Sequence, residues 1–408
     1  MKTGPDITPR IPEEILQRME ARGISRRDFI KFCTATTAAL ALPVTMLPQV
    51  ARAVEDNRPP VIWVEYQSCS GDSEAFLRAN QPTAGEIILD LLSIEYADVI
   101  MAAAGHQAEK SKHDAMEKYK GQYILIVEGS IPTGANGGYC TIGGQSAVED
   151  CRKLVQNAAA TIAVGSCAAF GGIPAAAPNP TNAKSVSDIV PGAAIVNLPG
   201  CPVNAANLTA TIVHFLTFGS LPATDRLGRP KFAYGKRIHD NCERRGHFDA
   251  GQYAESFGDP GHRQGYCLYK LGCKGPETFH NCPTVRYNEG VSWPVMAGHG
   301  CIGCSEPGFW DTMSPFYRRL PKVPGFGIED IFVCLCCPRS RVEMAQMRLR
   351  HPVGLHDELH HRIGQHFLKE EICQRLAGEL VLFDRPLQLV QRNGQSPRQA
   401  RMRCPRMQ

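Results

Sequence analysis

The chain has 408 residues, 43% hydrophobic and 21% charged, with a net charge of +4, the balance of an ordinary soluble globular protein. So small a charge, with no basic run interleaved with aromatics, gives no argument for nucleic-acid binding. Seventeen cysteines are the exception, and in a chain long enough to bury a real core they point to metal rather than to disulfide staples.

Residues 1–25 are polar. Ser25-Arg26-Arg27-Asp28-Phe29-Ile30-Lys31 then leads into an apolar run from Phe32 to Met46, closed by Ala51-Arg52-Ala53. These are the three parts of a secretory signal peptide, and the paired arginines mark the twin-arginine type. The other reading is a helix of the mature fold. Residues 1–53 are therefore expected to leave, taking Cys33 with them, so that the exported chain begins near Val54. That route carries folded proteins, which allows metal to be inserted before export. No later stretch reaches the roughly 18 apolar residues of a spanning helix, so the sequence itself is expected to provide no membrane anchor.

Residues 54–221 read as an α/β domain. Val61–Tyr66, Tyr123–Glu128, Thr161–Val164 and Ala194–Leu198 are β-branched runs of buried parallel strands. Helical patterns separate them, with Thr83-x-x-Glu86 and Ser146-x-x-Glu149 as capping boxes. This alternation predicts a flavodoxin-like, doubly wound parallel sheet. Periodicity is lost over residues 222–330, where Gly, Pro, His and Cys crowd together, and such a segment needs metal clusters to nucleate it. Residues 331–408 change again, with twelve Arg to one Lys against eighteen to thirteen before. That stretch reads as an Arg-rich appendage, and its Cys334, Cys336 and Cys337 are left out of the site.

In open α/β sheets ligands bind beyond the carboxyl ends of the strands. Cys69 follows the first strand, Cys167 the third and Cys201 the fourth, each beside a glycine. Three thiols at corresponding rims are better explained by an iron–sulfur cluster than by chance core cysteines. A fourth ligand must come from nearby. Asp72 stands at Cys69-x-x-Asp72, Cys140 lies in a glycine-rich loop and Glu128 ends the second strand. Further on, His239-x-x-Cys242 with Cys267-x5-Cys273 makes four ligands suited to zinc or to an iron–sulfur cluster. Cys282 with Cys301-Ile302-Gly303-Cys304 makes three, with Pro294 in the interval.

Over roughly residues 24–330 the chain resembles the small subunits of uptake NiFe hydrogenases. The stretches that carry this are Arg26-Arg27-Asp28-Phe29, Ser73-Glu74-Ala75, Glu128-Gly129-Ser130-Ile131-Pro132, Gly165-Ser166-Cys167, Pro199-Gly200-Cys201-Pro202, His239 to Cys242, Gly246 to Gly251, Cys267 to Pro276 and Gly298 to Pro307. The resemblance implies a proximal 4Fe-4S cluster on Cys69, Cys167 and Cys201, a medial 3Fe-4S cluster on Cys282, Cys301 and Cys304, and a distal 4Fe-4S cluster on His239, Cys242, Cys267 and Cys273. It also implies a large subunit that carries the Ni–Fe centre, a membrane cytochrome or similar acceptor subunit, and a periplasmic, membrane-associated enzyme.

Two departures matter. In the first, Asp72 replaces the family's second proximal cysteine and Gly71 stands where oxygen-tolerant members carry an extra one, whereas Cys140 matches another of their extra cysteines. Asp72 is thus expected to ligate the proximal cluster, with Glu128 able to approach. The second is the C-terminus, where membrane-bound relatives carry a spanning helix and this sequence does not, so that anchoring falls to other subunits, the true tail differs, or the enzyme is a soluble periplasmic heterodimer. The other readings are the iron–sulfur subunit of a quinone or cofactor reductase, disfavoured by the twin-arginine signal and the distal histidine, and a zinc-stabilised secreted binding protein. No nucleophile–base pair stands out, and His106, His113 and His214 lie in helical patterns, so no acid–base catalyst is expected.

Overall fold

The β-branched runs form a sheet because residues with two heavy atoms on Cβ pack well on a pleated surface buried on both faces. The computed structural model describes residues 10–56, 58–79, 83–88, 92–288 and 290–320. Three helices come first: α1 (Glu13–Ala21), α2 (Arg26–Ala39) and α3 (Leu47–Asp56). Strands and helices then alternate as β1 (Pro60–Glu65), α4 (Gly71–Leu77), β2 (Ser93–Ala97), α5 (His106–Lys118) and β3 (Ile124–Glu128). They continue as α6 (Ala147–Asn157), β4 (Ala160–Val164), α7 (Gly165–Phe170), β5 (Ile195–Leu198) and α8 (Ala205–Phe218).

The five strands are parallel in the order β2-β1-β3-β4-β5, the doubly wound flavodoxin order. Register runs Val61↔Ile124 to Glu65↔Glu128, then Ile124↔Ala160 to Glu128↔Val164, so the carboxyl ends of β1, β3 and β4 lie level. One face carries the core of Val61, Trp63, Ile124 and Ile126 with α8 residues Leu208 and Ile212, and the other buries Ile62, Val64, Leu125 and Val127 with Cys151 and Leu154 of α6. Ser146 caps α6, its hydroxyl accepting from Glu149 N–H, and a helix begins at Ala84 after Thr83, where the sequence sets both starts. Strand β2 is an addition. Its Ser-Ile-Glu-Tyr-Ala alternation is that of a half-exposed strand, and it sits at the sheet edge.

The segment expected to be cleaved is folded in the full chain, with α2 and α3 packed against α8. Beyond Leu221 no described helix exceeds five residues. The core of this second region is Ile238, Ala254, Leu268, Leu271, Trp293 and Val295 together with Cys282 and Cys301, with Cys242 and Cys273 packed on it. Cysteine is therefore a sizeable part of its apolar interior. A reciprocal amide pair, Asn207 with Asn281 at 2.9 and 2.8 Å, fastens it to α8. Among the described residues no helix is long and apolar enough to cross a membrane. The tail from residue 331, with Cys334, Cys336 and Cys337, lies outside the described residues.

Candidate metal centre

The turn after β1 presents Cys69, and α4 starts at Gly71, which puts Asp72 in its first turn. Glu128, at the end of β3 and fully buried, fixes this turn from below. One of its oxygens accepts from Ser68 Oγ at 2.9 Å and Asp72 N–H at 3.1 Å. The other accepts from Trp63 Nε1 at 3.3 Å, Ser73 N–H at 3.0 Å and Ser73 Oγ at 2.7 Å. Both oxygens are thus engaged, and Glu128 is built in as a clamp on the Cys69–Ser73 turn. Asp72 reaches across to β5's loop, where Val203 N–H donates to it at 2.6 Å. Gly165, at φ +75°, is where Asp72 passes the β4 turn, and a Cβ there would sit 2.6 Å from the Asp72 Cγ.

Burial raises the Asp72 carboxyl to about 8, with Glu128 adding repulsion and the Val203 hydrogen bond opposing. Burial also pushes the Cys167 thiol up to about 12, and the Cys201 thiol likewise although that residue keeps exposed surface. Asp72, Cys201 and Cys69 add to the first, and Cys304, Asp72 and Cys69 to the second. Cys69, Asp72, Cys167 and Cys201 thus lie within electrostatic reach of one another, and no cation figures among the neighbours that shift Asp72, Cys167 and Cys201. A bound cationic group is what would hold them as thiolates and carboxylate. Cys140 is not with them. It packs beside the α6 face of the sheet, where burial and then Asp150 and Asp98 raise its thiol.

Cys282, Cys301 and Cys304 come together likewise. Burial raises each, Cys304 adds to the shift of Cys282, and both add to that of Cys301; Cys304 itself rises to about 11. They line, with Pro294 and Cys201, a cavity of about 690 Å³. His239, Cys242, Cys267 and Cys273 line a second, narrow one. Burial lowers the His239 ring to about 4, with Arg245 contributing, so at neutral pH it presents the uncharged imidazole that a metal requires. Burial holds Cys242 at about 11 and Cys267 at about 12.

The three groups form a row. Cys201 of the first and Cys304 of the second interact electrostatically, and Ser166, beside Cys167, donates from its hydroxyl to the Cys304 carbonyl while receiving Gly200 N–H at 3.0 Å. The second and third meet where Cys301 N–H donates to Cys273 Sγ at 3.3 Å. Gly300 allows that approach, since a Cβ there would lie 3.0 Å from Cys273 Cα. Two residues beyond the expected set enter here. Ser166 is one; the other is His280, whose Nδ1 lies 3.0 Å from Cys282 Sγ in a fully buried position. Their signal was only adjacency to a cysteine. Among the described residues no three of these side chains converge closely enough to hold a single metal ion. The donors are nine thiols with one imidazole and one carboxylate, a set whose chemistry fits iron–sulfur clusters.

Residues 234–317 match the family model for the C-terminal part of the NiFe/NiFeSe hydrogenase small subunit, and residues 69–215 match "NADH ubiquinone oxidoreductase, 20 Kd subunit". The chain is 52% identical to the quinone-reactive Ni/Fe-hydrogenase small chain of Wolinella succinogenes, over 73% of this chain and 85% of that one. It is 51% identical to the uptake hydrogenase small subunit of Azotobacter vinelandii, over 76% and 87%. Among solved structures, the NiFeSe hydrogenase of Desulfomicrobium baculatum aligns with a TM-score of 0.61 and 38% identity, covering 65% of this chain and all of that one.

Proposed function

The chain belongs to the NiFe hydrogenase small-subunit family, the iron–sulfur, electron-transferring half of a hydrogenase whose partner is a large subunit, and from that premise we propose the following assignment of its ligands and route. A proximal 4Fe-4S cluster is held by Cys69, Asp72, Cys167 and Cys201, a medial 3Fe-4S cluster by Cys282, Cys301 and Cys304, and a distal 4Fe-4S cluster by His239, Cys242, Cys267 and Cys273. When bound, these clusters supply a one-electron relay from hydrogen oxidised at the Ni–Fe centre of the large subunit to an outside acceptor. The observation that carries the assignment is the row of three donor groups, joined at Cys201–Cys304 and at Cys273–Cys301.

The chain's own residues do the holding and spacing. The buried thiols of Cys267, Cys282 and Cys301 keep the metal they would hold from water, and Cys301 N–H and Gly303 N–H donate to Cys273 and Cys301 sulfurs, contacts that stabilise the reduced, more negative state. Asp72 supplies a harder donor than thiolate, which favours a ligand change on oxidation and would protect against oxygen. Glu128 acts as the clamp that aims it rather than as a ligand, and Cys140 stands apart. The acceptor is a cytochrome or quinone-linked subunit, as the name "quinone-reactive" has it for the Wolinella relative, and the enzyme works at the periplasmic face of the membrane after twin-arginine export.

Iron analysis with paramagnetic resonance through a redox titration tests this. Three clusters with about eleven irons per chain are expected, and one or two zincs with no brown absorption would sink it. Replacing Asp72 by Ala should alter the proximal signal and potential alone. An untouched proximal cluster would remove Asp72 from the ligand set.

A further inference from the structure

Residues 10–56 are folded down over the domain they precede. Met19 of α1, Phe29, Phe32 and Cys33 of α2, and Val50 and Val54 of α3 join one core with Leu208, Ile212 and Val213 of α8. Arg18 grips the buried Glu55 carboxylate with two nitrogens, one of them at 2.9 Å, and Arg22 donates to the Glu55 carbonyl at 2.9 Å. Two consequences follow from this packing.

The first concerns cleavage. Ala51 is fully buried and Ala53 only 9% exposed, both inside the helix α3. A peptidase binds its substrate as an accessible, extended strand, and hydrolysis of the Ala53–Val54 bond, with water as the only co-reactant, is blocked in this arrangement. The second concerns what lies underneath. Helix α8 reads Ala-Ala-Asn-Leu-Thr-Ala-Thr-Ile-Val-His-Phe-Leu-Thr-Phe, apolar around most of its circumference, and such a helix must be covered on more than the side facing its own sheet. In the full chain α2 and α3 are that second cover. Phe32, Ala35, Thr36 and Ala39 also wall the 690 Å³ cavity that reaches Cys201 and Cys304.

We infer that the outward face of α8, with the mouth of this cavity, is the surface on which the large subunit docks, and that residues 10–56 occupy it until docking displaces them. This rests on reading residues 1–53 as a removable leader. The occupant is the large subunit because electrons must enter at the Cys69, Cys167 and Cys201 end, where Cys69 and Cys201 are still exposed, and the leader-lined cavity opens beside Cys201. Once residues 1–53 have gone, that face is apolar, carries the Cys69 and Cys201 thiols at its edge and needs a protein cover. One surface with two mutually exclusive covers couples the steps: a chain without its partner keeps its leader stowed, and a chain with its partner exposes both the paired arginines' helix and the Ala53–Val54 bond.

Hydrogen exchange of the full-length, cluster-loaded chain, alone and with its large subunit, tests this directly. Segments 26–39 and 47–56 are expected to be protected in the free chain and to exchange at least tenfold faster in the complex. In the same full chain Phe32→Asp, which loosens the cover without touching residues that remain after cleavage, should speed large-subunit association at least tenfold and make the Ala53–Val54 bond cleavable without the partner. Leader segments that stay protected in the complex, with Phe32→Asp leaving association unchanged, would overturn the shared-surface inference. The mass of the exported enzyme separates the two readings. A chain that starts near Val54 keeps the leader reading whatever the exchange shows, and one that retains residues 1–53 ends both.

Discussion

Glu128 offers the sharpest test of how the proximal turn is held. Changing it to Gln keeps shape and volume, yet it cannot keep the hydrogen bonds. Each carboxylate oxygen takes one backbone N–H, from Asp72 on one side and Ser73 on the other. Whichever way the amide is turned, its NH2 group faces a backbone N–H that cannot rotate away, whereas the Ser68 and Ser73 hydroxyls can turn to accept. One buried backbone donor is thus left unpaired, at about 1–3 kcal/mol. At a factor of ten for each 1.4 kcal/mol, the amide protons of residues 72 and 73 should exchange on the order of 10- to 100-fold faster in the assembled enzyme. The looser turn also lets the Asp72 carboxylate swing, so the proximal cluster's spectrum should broaden while the medial and distal signals hold. Peptide-resolved hydrogen exchange over residues 69–77 is the assay. Unchanged protection in the Gln variant would refute the clamp.

Other perturbations have equally definite outcomes. His280→Phe removes the ring nitrogen 3.0 Å from Cys282 Sγ, and loss of one hydrogen bond to a ligand sulfur, about 1 kcal/mol, should lower the medial potential by roughly 40 mV for a one-electron couple, read by redox-titrated paramagnetic resonance, with the other two potentials unmoved. Gly165→Ala should lower proximal iron occupancy, measured by iron content and signal intensity, because its Cβ collides with Asp72 at a backbone angle L-residues avoid. Chelating the iron should expose residues 222–320 to protease well before the sheet, since Cys282 and Cys301 belong to that region's small core and their thiols lose their partners. In the metal-free chain Asp72, raised to about 8 by burial and Glu128, favours folding when protonated. Its contribution is full below its ordinary range near pH 4 and is lost as pH rises toward 8, so urea midpoints should fall over that window and Asp72→Asn should flatten the fall.

Much of the sheet was legible because four of its strands are buried on both faces, and continuous β-branched runs such as Ile124–Glu128 have no other comfortable home. Strand β2 escaped because polar Ser93 and Glu95 interrupt it at the sheet edge, leaving too short an apolar signal. The N-terminal segment shows the opposite difficulty. Its charge, its apolar run and its small-residue motif announce a leader, and nothing in that pattern says that Phe29, Phe32 and Val50 can also serve as core. An apolar run built for recognition and one built for burial are the same run, and the difference lies in whether α8 presents a matching face.

At the proposed site, the candidate ligands stand out in the sequence and the residues that position them do not. Thiols cluster in number and spacing that few other chemistries use, so Cys69, Cys167 and Cys201 stand out at three strand ends. Glu128 stood out too, and was expected near the metal, but a carboxylate at a strand end does not declare whether it will meet iron or backbone. That depends on whether the donors beneath it are already spoken for, and here Trp63, Ser68, Asp72 and Ser73 take both oxygens. Cys140 lies apart for a related reason: Ala147 N–H donates to its carbonyl at 2.9 Å and holds it at the start of α6, packed on the α6 face of the sheet. Ligand identity is written in residue type, whereas ligand position is decided by which backbone groups the neighbouring elements leave unpaired. That second quantity exists only once the chain has folded.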